Sequence, residues 1–270
     1  MQGEKYFLSI DNGTQSVRAM IFDPQGQLLA KSKVDIEPYF SKHNGWAEQQ
    51  ADYFWDALCQ ACQTLWQDNT IDKQSIAAVS VTTQRATVVT MDKHHQPLRP
   101  AISWLDQRQV DSKPSLGAVE SALMSLVRAK PLVDLMHQQA EANWIEQNEP
   151  QLWQQVSKFL LLSGYHNFKL TGEYKDAIAS TVGFVPFDYK SQQWADSKDW
   201  KWRAMPITAE MLPEVVPAGA ELGRITAQAA AQTGIPEGLP LIASGSDKAC
   251  EVLGTGCTDA HTASLSYSSL

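Results

Sequence analysis

The stretch Ser9-Ile10-Asp11-Asn12-Gly13-Thr14-Gln15-Ser16-Val17-Arg18-Ala19-Met20-Ile21-Phe22-Asp23 decides how this chain reads. The apolar run Tyr6-Phe7-Leu8-Ser9-Ile10 stops at a short polar turn, and a second alternating run, Arg18 to Phe22, follows at once. Two extended runs around so short a link predict a β-hairpin. Its tip carries one carboxylate, one glycine and a cluster of hydroxyl and amide side chains, a set suited to phosphate and its metal. Gly13 admits close backbone approach and can take a positive φ. Free backbone N–H groups with Thr14, Gln15 and Ser16 can donate to phosphate oxygens, while Asp11 can hold a hard cation such as Mg²⁺. Taken alone, the same turn is that of an ordinary Asn-Gly hairpin, so the rest of the chain has to decide.

Outward from the hairpin, Leu28–Asp35 reads as a third strand, followed by the loop His43-Asn44-Gly45-Trp46 and an amphipathic helix from about Ala51 to Trp66. Ile76–Thr82 is apolar enough to lie inside a sheet; Val88–Met91 and Ala101–Trp104 are shorter extended segments. The middle of the chain, from Gly117 to Leu170, is mostly helical by period. It includes Ala118–Ala129 and a longer pattern through Trp153, Val156, Leu160, Leu161 and Tyr165. Trp194, Trp200 and Trp202 in the following loop-rich tract are read as packing residues. Helix Thr226–Thr233 ends at Gly234, a C′ glycine. A buried strand, Leu241–Ser244, then runs into Gly245-Ser246-Asp247 and a helix, Lys248–Leu253. Thr262–Tyr267 looks like the opening of another strand. Antiparallel strands followed by alternating helices and strands predict a mixed-sheet α/β domain.

Composition limits the function classes. The chain has 270 residues, 43% apolar and 19% charged, with a net charge of −8. The acidic balance, with no basic run, argues against nucleic acid and anionic membrane as partners. No stretch approaches the ~18 consecutive apolar residues of a membrane span, and the first residues lead straight into a strand without a signal-peptide core. A cytoplasmic location is expected. Cys59 and Cys62 form a C-x-x-C pair inside a helical pattern where Leu58, Cys62 and Leu65 share a face, so they read as buried structural cysteines. The six histidines show no zinc-ligand spacing.

Four further clusters carry chemistry. Gly45-Trp46-Ala47-Glu48-Gln49 precedes a helix, and Thr82-Thr83-Gln84-Arg85 ends a strand. Trp104-Leu105-Asp106-Gln107-Arg108 follows an extended segment. Ser244-Gly245-Ser246-Asp247-Lys248 ends a buried strand and opens a helix. Each alone has an ordinary explanation: a packed Trp, a helix N-cap or a solvated Arg.

Their order and spacing together are distinctive. The chain resembles the amino-terminal domain of the FGGY carbohydrate kinases, a family that includes glycerol kinase and xylulokinase. The hairpin matches the pattern D-x-G-T-x-S-x-R at Asp11, Gly13, Thr14, Ser16 and Arg18. The Gly45–Gln49 segment looks like G-W-x-E-Q, while Gln84-Arg85 and Trp104-x-Asp106-x-Arg108 fall in the right order, and Asp247 stands where the family keeps its catalytic aspartate. The likeness covers essentially the whole chain.

This resemblance implies an actin-like (RNase H-like) ATPase fold with a mixed central sheet and flanking helices. It also implies ATP and Mg²⁺ held between two domains, and a small sugar or polyol bound mainly by the first. On that analogy Asp11 helps to place Mg²⁺, and Gly13, Thr14, Gln15 and Arg18 lie near the phosphates. Arg85, Trp104 and Asp247 line the sugar pocket; Gln84 counts with them among the substrate-binding residues in a supporting role, and Asp106 and Arg108 are further supporting residues. Asp247 would accept the proton of the attacking hydroxyl. Residues 1–262 then read as the sugar-binding domain and 263–270 as the start of a second, ATP-binding domain that the chain lacks, so the chain alone is expected to bind sugar weakly and to have little kinase activity. A homodimer is an allowed assembly.

Two departures shape the expectation. In the glycerol kinases the Gln-Arg pair is followed by a polyol-binding Glu, whereas here the next residue is Ala86; the missing acceptor points to a substrate longer than glycerol. Ser268 stands at a position where the second phosphate turn has glycine, which puts phosphate binding at Ser268 and Ser269 in doubt. The competing functions are a non-catalytic sugar-binding or regulatory module and another actin-like ATPase. The Trp46 and Trp104 motifs speak against the latter, since aromatic rings beside Arg85 make a pocket for a hydroxylated small molecule.

Overall fold

The structure, a computed structural model, describes residues 5–111 and 130–266. Strands β1 (Tyr6–Asn12), β2 (Ser16–Phe22) and β3 (Leu28–Asp35) form an antiparallel meander. A two-residue strand β4 (Glu48–Gln49) leads into helix α1 (Ala51–Gln67). Phe54, Leu58, Ala61, Cys62 and Leu65 of α1 are buried, which is the face the apolar period specifies. Strands β5 (Ile76–Thr83), β6 (Val88–Met91) and β7 (Ala101–Ile102) follow. Helices α2 (Lys130–Gln139), α3 (Glu141–Asn148) and α4 (Pro150–Trp153) precede strand β8 (Lys158–Leu161) and helix α5 (Leu162–Thr171). The remainder comprises β9 (Lys175–Ala177), β10 (Phe187–Asp188), β11 (Gln193–Trp194), α6 (Lys201–Ala204), β12 (Glu214–Val216), β13 (Glu221–Arg224), α7 (Ala227–Thr233), β14 (Pro240–Ile242) and α8 (Asp247–Gly254).

The principal sheet is six-stranded, in the order β13-β14-β5-β1-β2-β3. It is mixed: β5 runs parallel to both β1 and β14, while the other pairings are antiparallel. Placing β5 between β1 and β14 sets the end of β1, the end of β5 and the residues after β14 side by side. A second, antiparallel sheet has the order β4-β7-β6-β8.

The second sheet lies between two hydrophobic cores. Val89, Met91 and Leu160 face a core shared with the principal sheet and α1, whereas Val88, Phe159 and Leu161 face a second core with Ile145, Trp153, Phe187 and Met205. This placement corrects the expected helix through Trp153, Val156, Leu160 and Tyr165. The segment is instead α4, then β8 paired along β6, then α5. With both faces buried, Phe159-Leu160-Leu161-Leu162 has no alternation, and such an apolar run cannot be told from a buried helix by period.

Among the described residues, 262–266 form no strand, contrary to the expectation for Thr262–Tyr267. The expected helix at 118–129, Tyr267, Ser268 and Ser269 lie outside the described residues. Trp194 donates its indole N–H to the Pro213 carbonyl (2.7 Å) and Trp202 to the Ala195 and Asp196 carbonyls (3.0 and 2.9 Å), so these two are packing residues. Cys59 and Cys62 are buried free thiols, and burial pushes Cys59 up to about 12. No helix among the described residues is long and apolar enough to cross a membrane.

Candidate active site

The β1–β2 hairpin is held from both sides. Asp11 stands opposite Arg18 in the ladder, and Arg18 Nη1 donates to Asp11 Oδ2 at 2.9 Å. Gly13 N–H closes the tip on the Ser16 carbonyl (3.1 Å). Gly13 is not in the left-handed region, and a Cβ there would meet only the Ser16 oxygen at 3.6 Å. The turn therefore does not require glycine for its φ, which corrects one of the two reasons given for it from sequence; close approach of a ligand is the other. Beneath the tip, His166 Nε2 donates to Asn12 Oδ1 (2.8 Å) in a fully buried contact. Burial, aided by nearby Lys169, pushes His166 down to about 3 and keeps the ring neutral. Burial, together with the charges of Asp247 and Glu251, raises Asp11 above the usual carboxylate range, against the pull of Arg18.

The end of β5 brings the second group of residues to the hairpin. Asp11 is in register with Thr82, and the Gln84 N–H donates to the Asn12 carbonyl at 2.9 Å. Thr82 Oγ1 donates to the Gly245 carbonyl (2.8 Å), and Ser244 Oγ donates to the Val81 carbonyl. These bonds carry Asp247, first residue of α8, to the same edge. Its Oδ1 accepts from the Lys248 N–H (2.7 Å) and lies 3.7 Å from Arg85 Nε. Gln84 is different. Its side chain is buried at 2% exposure with both amide atoms unpartnered, and it lines neither of the cavities that Arg85 and Asp11 open onto. Gln84 therefore sits behind the cavities rather than on their walls.

Trp104 is held out into the cleft. The residue is 41% exposed, and its Nε1–H donates to Thr14 Oγ1 at 3.0 Å. Behind it, Asp106 accepts from the Ala47 N–H (2.7 Å) and takes both Nε and Nη2 of Arg108 (2.7 and 2.6 Å). Arg108 also meets Glu48 Oε1 at 3.0 Å, and its guanidinium lies over Trp46 and Trp144 at 4.0 and 4.5 Å from their ring centres. Arg99 joins Glu48 to Glu149. The Gln107 N–H donates to the Gly45 carbonyl (2.8 Å), and Gly45 has φ 79°, a backbone state that suits glycine. Asp106 and Arg108 thus fasten the Trp104 loop to the Gly45–Ala47 loop.

Two cavities meet at this edge. One, about 350 Å³, is lined by the hairpin residues Asp11, Gly13, Thr14, Gln15, Ser16 and Arg18, along with Lys33, Asp35, Glu251 and Ser266. The other, about 370 Å³, is lined by Arg85, Ala86 and Val182. Thr14, Trp104, Asp247 and Lys248 belong to both. A further cavity of about 490 Å³ continues beyond Ala86 and Trp104 towards Glu141. Burial pushes Glu141 up to about 7, and its Oε2 is unpartnered.

Although Lys248 lines both cavities, sequence reasoning quoted it beside Asp247 but gave it no role. It also missed Glu48 and Arg99 as parts of the Arg108 cluster, the His166 support and the left-handed backbone of Ala86 (φ 52°). Among the described residues no three His, Cys, Asp or Glu groups converge as a metal cage. A cage is not needed for Mg²⁺, which is held through one or two carboxylates plus phosphate oxygens and water. Asp11, with Asp247 across the same cavity, fits that donor set.

Comparison with known proteins agrees with this geometry. Residues 6–254 match the FGGY family of carbohydrate kinases, N-terminal domain, and the chain belongs to that family. It is 30% identical to an uncharacterized sugar kinase, YgcE, of Escherichia coli K12 over 97% of this chain and 46% of that protein. It is 25% identical to the xylulose kinase of the same strain over 96% of this chain and 52% of that protein. Among solved structures, a xylulose kinase from Rhodospirillum rubrum superposes with a TM-score of 0.77 at 23% identity, covering 94% of this chain and 52% of that one. A Plasmodium falciparum glycerol kinase with ADP gives 0.73 at 19%, covering 95% and 51%. The fold is therefore the actin-like ATPase fold of these kinases. The chain spans about half the length of the curated relatives it matches.

Proposed function

We propose that this chain is the sugar-binding part of a cytoplasmic carbohydrate kinase that transfers the γ-phosphoryl group of ATP to a hydroxyl of a small sugar or polyol. The observation that carries this reading is the position of Asp247 on the wall common to two cavities, with Arg85 on one side and the Asp11 hairpin on the other. Phosphoryl transfer is mostly positioning and electrostatic stabilisation, so its donor and acceptor sites must adjoin at one carboxylate.

In this reading, sugar hydroxyls occupy the cavity of Arg85 and Trp104, with the indole face as an apolar wall and Arg85 as a hydrogen-bond donor. Asp247 orients one hydroxyl and accepts its proton as that oxygen attacks phosphorus. Thr14, Gln15, Arg18 and the Gly13 backbone receive the phosphates, and Asp11 would hold Mg²⁺. When bound, the ion would neutralise phosphate charge. Arg18 keeps Asp11 turned towards the cavity. Asp106 and Arg108 hold Trp104 in place.

The acceptor is expected to be longer than glycerol. Ala86 offers no carboxylate, and leaving a polyol hydroxyl unpaired costs roughly 1–3 kcal/mol. The cavity beyond Ala86 and Trp104 also provides room for further carbons and hydroxyls. The test is a titration of ketoses, sugar alcohols and glycerol followed by tryptophan fluorescence, repeated with ATP and Mg²⁺. A response to five- or six-carbon sugars that exceeds the response to glycerol supports the reading. Absence of any sugar response overturns it.

A further inference from the structure

We propose that Lys248 is an additional catalytic cation, one that contacts the transferring phosphoryl group; this rests on the kinase reading above. Four residues line both cavities: Thr14, Trp104, Asp247 and Lys248. The transferring phosphorus must pass between those cavities, because the acceptor hydroxyl lies in one and the phosphates in the other. Among the described residues, Lys248 is the cationic side chain common to both. Arg18 and Lys33 line only the hairpin cavity, and Arg85 lines only the sugar cavity.

The present partners of Lys248 suit such a task. Its Nζ reaches Glu251 Oε2 at 2.9 Å and Ser266 Oγ at 2.7 Å, with 36% of its side chain and 48% of that of Glu251 exposed. An ion pair this exposed is worth little in water and can be exchanged for a phosphate dianion, a stronger acceptor with more charge. The backbone on either side is fixed: Asp247 Oδ1 takes the Lys248 N–H, and the Cys250 N–H donates to the Ser246 carbonyl at 3.0 Å. The flexible four-carbon stem is thus anchored beside the proposed base while its ammonium is free to exchange partners.

In the step itself, the bond between the γ-phosphorus and the bridging oxygen breaks and ADP leaves with that electron pair. A bond from the acceptor oxygen to phosphorus forms, and the hydroxyl proton passes to the Asp247 carboxylate. Lys248 is unchanged and balances the negative charge spread over the equatorial oxygens, where a fixed cation is most effective.

The test compares the wild-type chain with Lys248→Met, Lys248→Arg and Glu251→Gln. Binding of inorganic pyrophosphate with Mg²⁺ and of sugar is read by calorimetry, and turnover is measured in a full-length enzyme bearing the same changes. Lys248→Met is expected to weaken pyrophosphate binding by about tenfold and to lower kcat by about 10²–10³-fold. Sugar affinity should stay within about twofold of wild type. Lys248→Arg should recover most of the pyrophosphate affinity, and Glu251→Gln should tighten it. Unchanged pyrophosphate binding and kcat in Lys248→Met, with wild type active, overturn this assignment alone. If Glu251→Gln weakens pyrophosphate binding as much as Lys248→Met, the pair is structural and the assignment also falls. A wild-type chain that binds neither sugar nor pyrophosphate overturns the kinase reading and this assignment with it.

Discussion

Trp104 donates its indole N–H to Thr14 Oγ1 across 3.0 Å, tying the wall of one cavity to the tip of the hairpin that lines the other. The two residues are 90 positions apart in sequence. If the ring forms the apolar wall of the sugar site, its face matters more than its N–H. Trp104→Ala is expected to weaken sugar binding by about tenfold, and Trp104→Phe by less than about threefold. Calorimetric titration of the best sugar separates the two effects. Equal affinity in wild type and Trp104→Ala would remove Trp104 from the site.

The support behind that ring should be costly to break. Arg108 is buried against Asp106 and Glu48 and lies between two indole faces. Arg108→Met leaves the buried Asp106 carboxylate without its cation and Glu48 with Arg99 alone, at an expected cost of about 3–5 kcal/mol in denaturant unfolding. Arg108→Lys should be destabilising too, because an ammonium cannot reproduce the bidentate contact or the stacking. Wild-type midpoints for both variants would show that the cluster is not what fastens the Trp104 loop.

Stability should depend on pH through Asp176. Its carboxyl is buried and accepts from Ser163 Oγ (2.6 Å), Asn167 Nδ2 (3.2 Å) and the Ala177 N–H (2.8 Å). Burial nevertheless pushes it from 3.8 up to about 7. A folded-state value above the unfolded one means that the folded chain holds more protons between them. The protonated carboxyl's contribution is therefore complete below pH 3.8, is lost progressively as pH rises towards 7, and stays lost above it. Glu141, also near 7, adds in the same direction. Unfolding free energies from denaturant titrations between pH 5 and 8 should fall with pH, by about 1.4 kcal/mol per unit per such group at most, and should fall less steeply in Asp176→Asn, where Glu141 still titrates. An unfolding free energy that rises over this range would contradict the assignment.

Much of the fold and site was legible in the sequence, and the exceptions have physical causes. The hairpin, α1, β5 and α7 with its Gly234 cap carry clear periods and end signals, and they appear where expected. The β8 segment did not, because a strand buried on both faces loses its alternation. Arg85, Trp104, Asp106, Arg108 and Asp247 were readable because the family pattern fixes their order. Glu48, Arg99 and His166 were assigned no roles in the sequence, since each acts through a partner 51 to 154 positions away. The buried position of Gln84 was not readable for a related reason: a strand-end residue can point to either face, and here the side chain is buried beside the β1–β5 pairing.

The central claim is that Asp247 takes the proton of the attacking hydroxyl, and Asp247→Asn in a full-length enzyme tests it most directly. The side chain keeps its size and one acceptor oxygen but loses basicity, so sugar affinity should change little. General-base catalysis contributes about 10²–10⁴-fold, so kcat should fall by two orders of magnitude or more. Turnover by Asp247→Asn at the wild-type rate would contradict the account.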